Sequence, residues 1–154
     1  MNNELNKEVK WSANVVLADA DYVDTVAFNL IVNFERMIGR RIPQADIAKW
    51  LDCIALDGGI RDGENEIQVI LIHNKDKQQM DNFMPGNYAS DLTGKAFKDH
   101  LGEFTINSYH TEGLAKSGDF FGEVLELVLA QKDVKRLMVI ARSEERRVGK
   151  ECRS

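Results

Sequence analysis

Apolar positions along this chain fall into two alternating rhythms. Residues 14–18 (NVVLA) form a short apolar run that ends in charge, the pattern of a buried strand. Over residues 24–38, Phe28, Ile31, Phe34 and Ile38 fall near helical spacing, and Gly39 supplies a stop. That helix carries only Asp24, Glu35 and Arg36 as charges, so it is expected to be either well buried or part of an interface. Pro43 then suits a first helical turn. Ile47, Trp50, Leu51, Ile54 and Ala55 recur at i, i+3, i+4, i+7 and i+8, an amphipathic helix closed by Gly58 and Gly59. Residues 66–73 (EIQVILIH) are a β-branched apolar run and read as a second buried strand. The mixed section 74–94 is expected to cover one face of the domain. Residues 92–100 read as a short helix, 102–110 as a third strand, 119–131 as a third long helix and 134–141 as a fourth strand.

Strands alternating with helices argue for a parallel sheet with helices on both faces. The expected fold is therefore three-layer α/β/α, with a mainly parallel sheet of at least four strands. Ligands of such sheets gather at the carboxyl ends of the strands. This gives meaning to VVLADADYVDT, where Asp19, Asp21 and Asp24 crowd the end of the first strand. Two carboxylates held close together repel unless a cation or a shared proton compensates. Hard oxygen ligands favour Mg²⁺ or Mn²⁺, so a divalent-metal site including Asp19 and Asp21 is one expectation. Aspartates after strands also cap helices, and for Asp21 and Asp24 that role fits at least as well. A second acidic set, Asp119, Glu123 and Glu126, lies at i, i+4 and i+7 and so shares one helix face. The solvated side of an amphipathic helix explains Glu126 equally well, and Asp119 at a helix start suits the dipole.

Composition narrows the classes. The 154 residues are 44% hydrophobic and 29% charged, ordinary for a single soluble domain. No apolar run approaches the roughly 20 residues that span a bilayer. No apolar signal core opens the chain, and Cys53 and Cys152 do not make a disulfide framework. A cytoplasmic protein with no membrane association is the simplest expectation. The tail RSEERRVGKECRS (142–154) resembles the translation of a sequencing-adapter oligonucleotide. It is therefore expected to be non-native and poorly packed, and the natural domain to be cut short near Ala141. The resulting division is a loose lead-in over 1–12, one incomplete α/β domain over 13–141, and the tail. Setting aside the five basic and three acidic residues of the tail leaves 15 Lys+Arg against 22 Asp+Glu. Apolar surface near VKRLMVIA is expected to lie exposed where the domain is cut.

A strand ending in Asp, a pair of helices, and then K-x-x-D (Lys116 to Asp119) opening a long helix before a last strand resembles the NYN/PIN-like ribonuclease superfamily. The resemblance implies Mg²⁺- or Mn²⁺-dependent cleavage of RNA. Asp19 is similar to the family's first-strand aspartate and Asp119 to its helix-opening one. Asp21 and Glu123 would support the metal, and Lys116 would approach a substrate phosphate. Residues Asp19 and Asp119 are the catalytic pair this implies. The family's asparagine after the first aspartate is replaced here, and the segment expected to carry its last acidic cluster coincides with the tail. More closely, VVLADADYVDTVAFNLIVNFERMIGRRIP and LTGKAFKDHLGEF resemble an uncharacterised bacterial family over residues 10–141, which implies no activity.

LADADYV also matches the hhhDxDx[TV] signature of haloacid-dehalogenase-type phosphatases, where Asp19 would be the nucleophile and Asp21 the general acid. GDFFGE mimics that family's later acidic motif, but it follows GLAKS rather than an apolar strand. The second strand also ends at His73-Asn74, where that family has Ser or Thr. A response-regulator receiver ranks third, since its lone phosphoacceptor after a central strand is missing. His73, His100 and His110 are scattered without ligand spacing and read as ordinary surface or strand-end residues. Cys53 reads as inert packing beside the helix core. Arg40 and Arg41, with Arg36 and Lys49, are candidates for contact with a phosphate backbone, locally, because the chain is acidic overall. A non-catalytic alternative stands beside these: a PIN-like interaction or oligomerisation module, with the apolar helix 24–38 as a homo-oligomer interface.

Overall fold

The computed structural model describes residues 11–41, 43–110 and 117–141, except the side chains of 117–119. Strand β1 (Asn14–Asp19) leads directly into helix α1 (Ala20–Ile38), followed by a two-residue strand β2 (Ala45–Asp46) and helix α2 (Ile47–Asp57). Strand β3 (Asn65–His73), the short β4 (Phe83–Met84), a π-type turn (Tyr88–Leu92), β5 (Lys95–Asp99) and β6 (Gly102–His110) come next. Helix α3 (Ser117–Leu129) and β7 (Arg136–Ile140) close the described chain. The five-stranded sheet runs β5-β6-β3-β1-β7, and β2 pairs with β4 apart from it. Strands β6, β3, β1 and β7 are mutually parallel, with Ala18 beside Leu71 and Ile140. The expected mainly parallel α/β sheet is what forms.

The stretches Val15–Ala18 of β1 and Val69–Ile72 of β3 are apolar at every position because both faces are covered. Val16, Ala18, Val69 and Leu71 face a cluster with Val23 of α1 and Leu51 of α2. Val15, Leu17, Ile70 and Ile72 face Phe121, Val124 and Val128 of α3. The section 74–94 contributes Met80, Phe83 and Tyr88 to the first cluster, as expected of a covering segment.

Several expectations are corrected. Residues 92–100 are not a helix: the π-type turn ends at Leu92 and β5 pairs antiparallel with β6, Phe97 against Phe104. Their rings stack at 4.6 Å. The charges of KAFKD suit a sheet edge, where unpaired backbone needs protection. Helix α1 begins at Ala20 rather than residue 24, because the strand's own last residue caps it. Helix α2 starts at Ile47, capped by Asp46, whose carboxylate accepts from Ala48 N at 2.9 Å. Pro43 therefore lies outside it. Cys53 is exposed rather than packed. Leu137, Met138 and Val139 of β7 are buried against the two clusters and Ile140 is half-buried, so among the described residues 134–141 no large apolar side chain is exposed. The tail 142–154 lies outside the described residues.

Candidate functional site

The parallel register brings Asp19, Ile72 and Tyr109 level, so β1, β3 and β6 end at one edge of the sheet. That edge is where polar side chains meet. Asp19, 6% exposed, terminates β1 and accepts a hydrogen bond from Tyr22 N at 3.2 Å, the geometry of a helix N-cap. The cap role expected of Asp24 thus belongs to Asp19.

Asp21 lies one step into α1. Its Oδ2 accepts from Asn74 N at 2.8 Å, tying the first turn of the helix to the end of β3. Its Oδ1 is buried with no protein partner among the described residues. Burial pushes the Asp21 carboxyl above its ordinary value. The Asn74 N–H acts against that shift, and the neighbouring Asp19 adds to it.

Of the two readings, surface or strand-end, His73 takes the second: it ends β3 and is buried. Its ring stacks on Tyr88 with centroids 3.7 Å apart, and Nδ1 lies 2.9 Å from the Asn74 carbonyl oxygen. Burial holds the imidazole below its ordinary pKa, opposed by the Asn74 carbonyl and by Asp21. The Tyr88 hydroxyl is buried without a partner among the described residues, and burial with nearby Asp21 pushes its pKa far up. Asp24 sits deeper, with its carboxylate holding the backbone of Asp81 and Asn82.

The remaining residues singled out from the sequence lie elsewhere or beyond description. Arg40 and Arg41 follow the α1 C-cap and are exposed. Arg41 Nε is 3.9 Å from Glu35 Oε2. The 19 residues of α1 separate them from Asp19, a helix length of about 28 Å. Glu123 is exposed on α3. Asp119 belongs to the first turn of α3, with its side chain outside the described residues, and Lys116 lies outside them altogether. Among the described residues, no three His, Cys, Asp or Glu side chains are grouped to hold a metal ion. Nor is any helix among them long and apolar enough to cross a membrane.

Sequence reasoning passed over His73, Tyr88 and Asn74. The rule that selects Asp19, a polar residue closing an apolar strand, also selects His73. No local signal marks Tyr88, whose stacking partner is distant in the chain.

The Asp21 carboxyl gives a measurable sign. A carboxyl whose folded pKa is raised favours folding while protonated. That contribution is present below the ordinary value of 3.8 and is lost as pH rises through the folded pKa. Asp21→Asn is therefore expected to raise the melting temperature at neutral pH, with the gain shrinking as pH falls toward about 4. Thermal melts across that range check it, and a gain that does not change with pH would contradict it.

Over residues 8–154, a span that takes in the tail, the chain matches the profile described as "Family of unknown function (DUF6621)". No curated protein and no solved structure matches it. The expected membership of an uncharacterised family is borne out: the chain belongs to this family of unknown function.

Proposed function

We propose that this domain is a non-catalytic interaction module, built on a PIN-like three-layer scaffold and working through the exposed apolar side of α1. The observation that carries this reading is the helix itself. Only Ala20, Val23 and Asp24 of α1 are buried, while Leu30, Phe34, Met37 and Ile38 stand about half exposed or more along one side, and Phe28 is as exposed on the opposite side. A monomer rarely leaves so many large apolar side chains together in water, and such patches mark interaction surfaces. Beside them runs an apolar groove of about 460 Å³, floored by Trp50, Ile54 and Phe83. The acidic residues, by contrast, are largely committed to structure. Asp19 caps α1 and Asp24 holds a loop, which leaves one oxygen of Asp21 uncommitted. A cytoplasmic setting belongs to the same reading.

A second reading keeps chemistry at the carboxyl edge, favoured by that buried, unpartnered Asp21 oxygen beside Asp19. In its nuclease form, Mg²⁺ or Mn²⁺ would be shared by Asp19, Asp21, Asp119 and Glu123 to cleave RNA. In its phosphatase form, Asp19 would attack a phosphomonoester. The described carboxylates do not form a metal-binding group by themselves, and Asp19 Oδ1 serves as the helix cap, so the interaction reading is preferred.

The test offers single-stranded RNA and a phosphomonoester, with Mg²⁺ and with Mn²⁺, to the full chain and to Asp19→Asn. Asparagine caps a helix as well as aspartate does, so the variant keeps the fold. No turnover by either protein is expected. Turnover by the wild type that Asp19→Asn abolishes would overturn the interaction reading.

A further inference from the structure

The exposed seam of α1 has a symmetry of its own. Val26, Leu30, Phe34 and Met37 lie within one narrow stripe of the helix, and all are exposed, Met37 most at 77%. With Val23 their spacing is 3, 4, 4, 3, which reads the same in both directions about Leu30. A helix with such a stripe is complementary to itself turned end for end. About a two-fold axis at Leu30, Leu30 meets its own copy. Val26 then faces Phe34, and Met37 reaches the position of Val23, so each larger side chain is set against a smaller one.

Charge follows the same rule. The far end of α1 carries the exposed Arg36, Arg40 and Arg41, with Glu35 beside Arg41, while its first turns carry the half-buried Asp21 next to Asp19 and Asp24, whose carboxylates are buried and hydrogen-bonded within the fold. End-for-end pairing sets the basic end of each helix at the acidic end of the other, and it also opposes the two helix dipoles. The apolar groove receives a partner in this arrangement, because Val23 lies in its wall beside Trp50 and Phe83. Met37 of a second copy arrives there as a knob.

We infer that the occupant of this face is a second copy of the same chain, packed antiparallel through α1 about a two-fold axis at Leu30. This rests on the interaction reading above and gives it a partner.

The test is association of the full chain in solution, with the mass read by light scattering at tens of micromolar. Twice 17.4 kDa is expected for the wild type. One chain mass is expected for Leu30→Glu, which sets two carboxylates against each other at the axis. Leu30 is 53% exposed, so this variant keeps its fold and its melting curve reports that directly.

Orientation is tested by oxidation in a Cys53→Ser, Cys152→Ser background. Leu30→Cys is expected to cross-link to itself. Phe34→Cys is not, because antiparallel copies of residue 34 lie eight residues apart along the axis, about 12 Å. A wild type that stays a monomer overturns the second copy. A dimer in which Phe34→Cys cross-links to itself overturns the antiparallel arrangement. Neither result bears on turnover, which alone decides the interaction reading.

Discussion

Asp24→Ala is expected to lower the unfolding free energy by about 2–5 kcal/mol, the cost of leaving several buried N–H donors unmet at about 1–3 kcal/mol each. Asp24 is 3% exposed, in the second turn of α1, and its carboxylate accepts three N–H donors. Asp81 N donates at 3.0 Å, Asn82 N at 2.9 Å and Asn82 Nδ2 at 3.1 Å. The Asn82 amide also donates to the Asp24 carbonyl oxygen at 3.2 Å, and Lys77 Nζ stands 3.6 Å from Oδ2. Alanine leaves two backbone donors without partners in a part-buried position, and unmet buried donors are costly. The loss spreads, because Asn82 precedes β4, and Phe83 packs edge-on against Trp50 of α2 at 5.6 Å. Asp24→Asn retains one acceptor oxygen but turns an NH₂ toward donors, so an intermediate loss of about 1–3 kcal/mol is expected. Urea melts with linear extrapolation measure both. A loss below about 1 kcal/mol for alanine would show that the carboxylate does not anchor the loop.

The same residue shows where sequence reading stops. The aspartate cluster at the end of the first strand was legible, because charge directly after an apolar run is a local pattern. So were the four parallel strands and three long helices, since burial on two faces demands continuous apolar runs and burial on one face demands helical spacing. Which aspartate does what was not legible. Asp19 caps α1 through a bond to Tyr22, three residues away, but the partners of Asp24 are 57 and 58 residues away. That contact depends on the covering segment 74–94, whose own pattern is mixed. The edge strand β5 was misread for a related reason. KAFKD carries one strongly apolar residue, and the hairpin partner that makes it a strand begins after it in the chain. His73 has no metal-ligand spacing to mark it, and its place in the site comes from stacking on Tyr88.

Helix α1 joins the two kinds of information. Its low charge predicted either burial or an interface, and the fold decides against burial: α1 leaves the sheet edge after its first turns, and its apolar stripe continues into solvent. Sequence supplied the stripe and tertiary structure supplied its exposure. The proposed interface rests on the two together, since an apolar helix inside a core would look the same along the chain.

Gly102→Ala is expected to cost at least about 3 kcal/mol, because strain and collision add at one position. Gly102 opens β6 directly after the two-residue turn from β5, with φ at 132°. Side-chain-bearing residues rarely adopt that backbone conformation, and holding one there costs about 1–3 kcal/mol. A methyl group would also overlap the backbone oxygen and nitrogen of Asn65, its register partner on β3. Neither side can yield easily. Asn65 is fixed by its side-chain amide, which donates to the carbonyl oxygens of Leu101 and Arg61 at 2.8 Å each. Strand β3 is interior to the sheet, between β1 and β6. The comparison is Gly39→Ala at the α1 C-cap. Gly39 also has a positive φ, 72°, but a Cβ there meets nothing within 4 Å. Backbone strain alone remains, about 1–2 kcal/mol. The difference between the two variants in denaturant melts reports the collision with β3 together with the less favourable φ of Gly102. Equal losses would mean that the β5–β6 turn does not approach β3 closely enough to require glycine.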